Sequence, residues 1–212
     1  MYNEIEIPRG GEFDLVLADG TQVWLNAESR LRYPVEFSGK ERKVVLEGEA
    51  YFQVKKNPSL PFRVEIRNQV IEVLGTEFNV SGYKDEVHVY TTLVNGKVKV
   101  ATTGRDMTLL PGEQCVLDTG DGSMIRQQVD VDKIISWKKG KFILEEQTLE
   151  QIMQKLARWY DITVFYQNPA LKNKVFKGSV PRYAELQQVL NILEKTGEVQ
   201  FHIQNRTVIV KE

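Results

Sequence analysis

The chain of 212 residues has one cysteine and two histidines, and its 28 basic and 29 acidic side chains leave a net charge of −1. Each shortage closes off a class of function. With Cys115 alone, no intrachain disulfide and no cysteine-based metal site can form. Its place in the strand-like run Gln114-Cys115-Val116-Leu117 predicts a buried, inert thiol. His88 and His202 cannot supply the three-histidine set of a cupin-like metal enzyme. Balanced charge provides no concentrated basic face for a nucleic acid, whose phosphates dominate such affinity. The local basic cluster Lys133, Lys138, Lys139 and Lys141 reads as a solvated connection between domains. No run approaches the roughly 20 apolar residues that span a bilayer, and no signal peptide is expected ahead of the first strand.

Catalytic motifs are missing as well. No glycine-rich phosphate loop joins a strand to a helix, and no Gly-x-Ser-x-Gly elbow occurs. Glu145 and Glu146 are neighbours at a strand-to-helix junction, so their side chains face opposite ways and suit a helix start better than acid/base work. The expectation is a protein that catalyses nothing and holds no metal or cofactor.

What the sequence does contain is β-patterning. Up to about residue 130, short alternating runs are separated by turn signals. Asp19-Gly20, Glu47-Gly48-Glu49, Asn95-Gly96 and Pro111-Gly112-Glu113 each stand between two apolar runs and predict hairpins. Phe62-Arg63-Val64-Glu65-Ile66 alternates with Phe62, Val64 and Ile66 inward, and Gly75 breaks the runs on either side of it. The fold expected for residues 1–130 is all-β, a sandwich or a solenoid-like stack.

Residues 131–212 change character. Thr148-Leu149-Glu150-Gln151 is a capping box, followed by Leu149, Ile152, Met153, Leu156 and Tyr160 on one helical face. A second amphipathic helix carries Leu186, Val189, Leu190 and Leu193, with Gly197 at its end. With strands at 141–145, 162–166, 175–180, 199–203 and 207–210, the order is βαββαββ, a small α+β domain in a mainly β protein. The last strand, Thr207, Val208, Ile209 and Val210, closes a hairpin around Asn205-Arg206 and is expected at a sheet edge, where a partner strand could add. A groove between the domains is the other candidate binding surface. The aromatic side chains Trp24, Trp137, Trp159 and Tyr160 leave open a second reading, a glycan-binding β-module of the cell envelope, although such residues are more often core or interface anchors.

Several blocks are similar to a known family. Pro8-Arg9-Gly10-Gly11, Leu15 to Ala27, Leu46 to Phe52 with Pro61 to Val64, Val73 to Val80, and Leu110-Pro111-Gly112-Glu113-Gln114 resemble FecR-type proteins, in that family's order. Trp137 to Phe142, Leu149 to Ile152, Leu156, Arg158-Trp159-Tyr160 and Phe176-Lys177-Gly178 resemble the C-terminal domain that often follows, itself similar to the short N-terminal fold of secretins and TonB-dependent receptors. The resemblance implies an anti-sigma factor anchored in the inner membrane. A cytoplasmic segment would hold an extracytoplasmic-function sigma factor, and the periplasmic region would sense the signalling domain of a TonB-dependent receptor. The chain then corresponds to the periplasmic region alone, with the sigma-binding segment and the transmembrane helix outside this piece. The recurring glycines and aromatics serve turns and core, so the binding surface is expected elsewhere.

Overall fold

In the computed structural model, which describes residues 1–144 and 146–212, period-two patterning becomes strand after strand from Tyr2 onward. The chain divides into two compact units, Met1–Ile135 and Ser136–Glu212. The first holds β1 (Tyr2–Ile7), β2 (Phe13–Val16), β3 (Gln22–Leu25), β4 (Ser29–Pro34), β5 (Arg42–Gln53), β6 (Phe62–Ile66) and β7 (Gln69–Val73). It continues through β8 (Glu77–Gly82), β9 (His88–Asn95), β10 (Val98–Thr102), β11 (Arg105–Leu109), β12 (Glu113–Asp118) and β13 (Met124–Gln128) to the one-turn helix α1 (Val131–Ile134). The division falls after Ile135, not at the expected 130/131 boundary, because α1 packs on β9 of the first unit.

These strands build two ladders that share β5. One runs β1-β4-β5-β6-β7-β10-β11, the other β2-β3-β5-β8-β9-β12-β13. Only β5 with β6 is a parallel pairing. The ladders face each other across one core, in which the Phe52 ring stacks on Phe78 at 5.1 Å within its own ladder and meets Phe62 of the other at 6.1 Å. The result is a sandwich, the first of the two expected forms, whose chain steps between layers at β1–β2, β3–β4, within β5, and at β5–β6, β7–β8, β9–β10 and β11–β12.

Those steps correct three of the predicted hairpins. Asp19-Gly20 does join two paired strands, β2 and β3. Glu47-Gly48-Glu49 is not a turn: β5 runs straight through it for 12 residues, pairing with β4 and β6 before Gly48 and with β3 and β8 from Gly48 onward. Val44, Leu46, Ala50 and Phe52 stay buried on one parity throughout. Gly48 is required by the change of ladder. Its φ is +91°, and a Cβ there would sit 2.4 Å from Ser29 Oγ and 2.8 Å from Ser29 Cα. Asn95-Gly96 and Pro111-Gly112 lead between strands that do not pair, β9 to β10 and β11 to β12, so they carry the chain from layer to layer. Thr76 Oγ1, donating to Lys97 O at 3.0 Å, and Gly112 N–H, donating to Leu93 O at 3.1 Å, stitch such steps to their neighbours.

The second unit contains β14 (Lys141–Ile143), β15 (Gln147–Thr148), α2 (Leu149–Tyr160), β16 (Thr163–Tyr166), β17 (Val175–Phe176), β18 (Ser179–Pro181), α3 (Leu186–Glu194), β19 (Gln200–Gln204) and β20 (Thr207–Lys211). The helix α2 starts where its capping box says it should. Thr148 Oγ1 accepts from Gln151 N at 3.3 Å, and Gln151 Oε1 accepts from Thr148 N at 3.0 Å. Both helices bury their apolar faces in one core with Phe142, Phe176, Val208 and Val210. The run expected as one strand over 175–180 splits at Lys177-Gly178, since β17 pairs with β15 and β18 with β14. The remaining strands form the sheet β16-β20-β19, with β20 parallel to β16 and antiparallel to β19.

Candidate interaction surface

The family-like residues of the first unit are consumed in holding it together. Asp19 caps its own turn by accepting from Thr21 N and Oγ1, and its Oδ2 also accepts from Arg42 Nη1 at 2.7 Å. Arg42 is fully buried, donates further to Leu60 O and Lys55 O, and lies over the Phe62 ring. Glu49 bridges two asparagines, accepting from Asn26 Nδ2 at 2.7 Å and Asn79 Nδ2 at 3.0 Å. The Tyr51 hydroxyl donates to Glu77 at 2.7 Å and its ring meets Trp24 edge-on, while burial, seconded by that carboxylate, pushes the phenol well above its ordinary pKa. Glu49, Tyr51 and their partners cross-link β3, β5 and β8 on the outer side of their ladder, while Arg42 shares the inward parity of Val44 and Phe52.

The chemical candidates resolve as structure. Cys115 is fully buried, and burial pushes its thiol up to about 11, beyond the range of a reactive cysteine. His88 Nε2 lies 3.6 Å from Asp118 Oδ2 on a half-exposed strand face, and His202 is exposed on β19 of the other unit. Among the described residues no group of three potential metal ligands converges. Glu145 lies outside the described residues. Glu146 sits in a turn with Lys177 Nζ at 3.9 Å. Lys133 pairs with Asp130 at 3.5 Å. The aromatics that left a sugar platform open are packed, as core and interface anchors are. Trp24 edges Tyr51, Trp137 is buried, and Trp159 is half-buried beneath Tyr183.

Trp159 and Tyr160 belong to a larger arrangement. Both donate to Arg182 O, Trp159 Nε1 at 2.6 Å and Tyr160 OH at 3.3 Å, and Tyr160 OH donates to Ala184 O at 2.7 Å. The buried Arg182 guanidinium lies 3.8 Å above the Trp159 ring centroid, with Phe142 and Trp137 at 5.4 and 5.6 Å. This aromatic box ties the end of α2 to the segment after β18.

The expected edge strand is not an edge. Thr207, Val208, Ile209 and Val210 form the middle strand of their sheet, because β16 joins β20 in parallel on the side away from β19. Val208 and Val210 point into the core and are fully buried. The edges are β16 and β19. On the outer face one row places Phe165, Ile209 and His202 side by side. Phe165 is 58% exposed there. The signal available in the sequence was the uncharged, aromatic and β-branched run Thr163-Val164-Phe165-Tyr166 just after α2; what hid its position is that its partner strand lies more than forty residues away.

Comparison with known proteins follows this anatomy. Residues 3–99 match the FecR protein family model and residues 141–210 match that of the FecR C-terminal domain. The chain belongs to the FecR family. Two crystal structures of a protein from Parabacteroides distasonis ATCC 8503, described as a "putative anti-sigma factor", superpose with a TM-score of 0.92 at 28% identity. They cover 99% and 100% of this chain and 99% of theirs. No curated protein sequence matches the chain. Family and structural neighbour support an anti-sigma factor sensor role, regulatory in kind. No helix of the described residues is long and apolar enough to cross a membrane.

Proposed function

We propose that this FecR-family chain is the periplasmic sensing region of a membrane-anchored anti-sigma factor. It relays a signal from a TonB-dependent outer-membrane receptor to an extracytoplasmic-function sigma factor, by protein–protein binding. The observation that carries the reading is that both FecR family models match in order along one chain whose fold follows, from end to end, that of the protein described as a "putative anti-sigma factor". The chemistry agrees with it. Polar groups in the large unit are spent on architecture, and the small unit leaves a sheet with uncharged edges. The domains 1–135 and 136–212 would act together, the first as a scaffold and the second as the receiving module.

Calorimetric titration with the N-terminal signalling domain of the TonB-dependent receptor encoded beside this protein tests the reading. Saturable binding at micromolar concentration or tighter, about −8 kcal/mol or better, is expected. A flat titration with folded partners sinks the reading.

A further inference from the structure

We propose that β16 of the small unit is the docking edge, and that it takes one extended, uncharged strand of the partner protein. The inference rests on the relay reading for the partner's identity, but the edge itself is read from hydrogen bonding and charge.

In a parallel pair, the N–H and C=O of one residue point to the same side of the strand. Thr163 N–H donates to Arg206 O and Gln167 N–H to Val210 O, so residues 163, 165 and 167 face β20. Val164 and Tyr166 therefore turn their N–H and C=O to the free side. Among the described residues no further strand lies there. Only another extended backbone matches two donors and two acceptors at that spacing.

The other edges are managed. In the large unit the outermost strands carry charge: Glu4 and Glu6 on β1, Asp14 on β2, Arg105 and Asp106 on β11, Arg126 on β13. Charged residues on an edge deter a foreign strand. In the small sheet β19 is uncharged, but its outward Phe201 N–H is taken by Glu194 Oε1 at 2.7 Å. The remaining edge of four residues or more, Thr163-Val164-Phe165-Tyr166, has no charge, high β-propensity and an exposed aromatic ring. A second copy of this chain is the poorer occupant. Antiparallel pairing of two β16 strands would set the Lys172–Glu150 ion pair, at the Tyr166 end of one copy, beside the Arg206–Asp161 ion pair, at the Thr163 end of the other, so charge offers a second copy no attraction.

Amide exchange read residue by residue, with the full chain and the receptor signalling domain as probe, tests the assignment. In the free protein the Val164 and Tyr166 amides should exchange much faster than Phe165, and the probe should slow both at least tenfold. Phe165→Lys, on the outer face, should keep the fold and weaken binding at least tenfold, while Glu194→Gln should leave it unchanged. Binding without protection of Val164 and Tyr166, or full-strength binding by Phe165→Lys, overturns the edge and leaves the relay reading standing. Protection that grows with protein concentration in the absence of probe assigns the edge to a second copy and overturns the hetero-strand. No binding by the wild-type chain removes the relay reading and this assignment with it.

Discussion

The two units of this chain use polar residues in opposite ways. In the large unit, Asp19, Asn26, Glu49, Tyr51, Glu77 and Asn79 are bonded to one another or to Arg42 across the strands. A buried group left without its partner costs far more than the bond itself contributes, so such a network specifies one arrangement and resists change. In the small unit the strands are short, three separate small sheets share one core, and the outer row Phe165, Ile209 and His202 meets solvent. The difference teaches where variation is tolerated. A surface whose side chains are already committed to their neighbours has little to offer a partner, whereas a small sheet with backbone groups to spare can gain by addition.

The sharpest way to break that contrast is to remove a committed carboxylate. Asp19→Ala leaves the buried Arg42 guanidinium without its ion-pair partner and deprives Thr21 of its turn bonds. Removing one member of a buried pair costs about 3–5 kcal/mol. Chemical denaturation should show that loss in the large unit. Asp19→Asn, which retains an acceptor for Thr21, should recover part of it. A loss under about 1 kcal/mol would mean that Lys55 O and Leu60 O suffice for Arg42, and that the network is less committed than argued.

A smaller effect is expected at the start of α2 in the other unit. Thr148→Ala removes the acceptor for Gln151 N and should cost about 1 kcal/mol, the usual worth of a cap. Thr148→Ser should restore it, with circular dichroism and the melting temperature as readouts. Because β15 ends at Thr148, a loss well beyond that would show that the β15–β17 pair unravels with the cap.

The contrast between units also explains what could be read from the residues alone. Local chemistry was legible. The capping box at Thr148, the Asp19-Gly20 hairpin, the Asn205-Arg206 turn and the buried thiol of Cys115 each depend on groups within a few residues or on simple burial. Non-local pairing was not. A glycine at positive φ reports a backbone bend, and the same bend serves a hairpin at Gly20, a change of ladder at Gly48 and a crossing between layers at Gly96. Nothing local distinguishes them. The edge of the small sheet was misplaced for the same reason: ending the chain does not put a strand at the rim, and β20 slots between β16 and β19.

The effect that vanishes at neutral pH is an alkaline pH dependence, and it sharpens the account of the large unit's core. Cys115 is neutral in the fold, with its pKa raised by burial from 9.0 to about 11. A raised pKa means that the folded state keeps a proton the unfolded chain gives up. Stability is therefore unaffected below about pH 9, falls between about pH 9 and 11, and levels off for this group above that. Tyr51 and Tyr166 are shifted upward too, Tyr51 by burial and then Glu77, Tyr166 by burial and then Glu150, and they extend the decline to higher pH. Melting temperatures measured from pH 7 to 11 should fall on the alkaline side. Cys115→Ala should lower the whole curve through the lost side-chain volume yet flatten its slope between pH 9 and 11. An unchanged slope would assign the alkaline loss to the tyrosines and show that the core around Cys115 admits the thiolate.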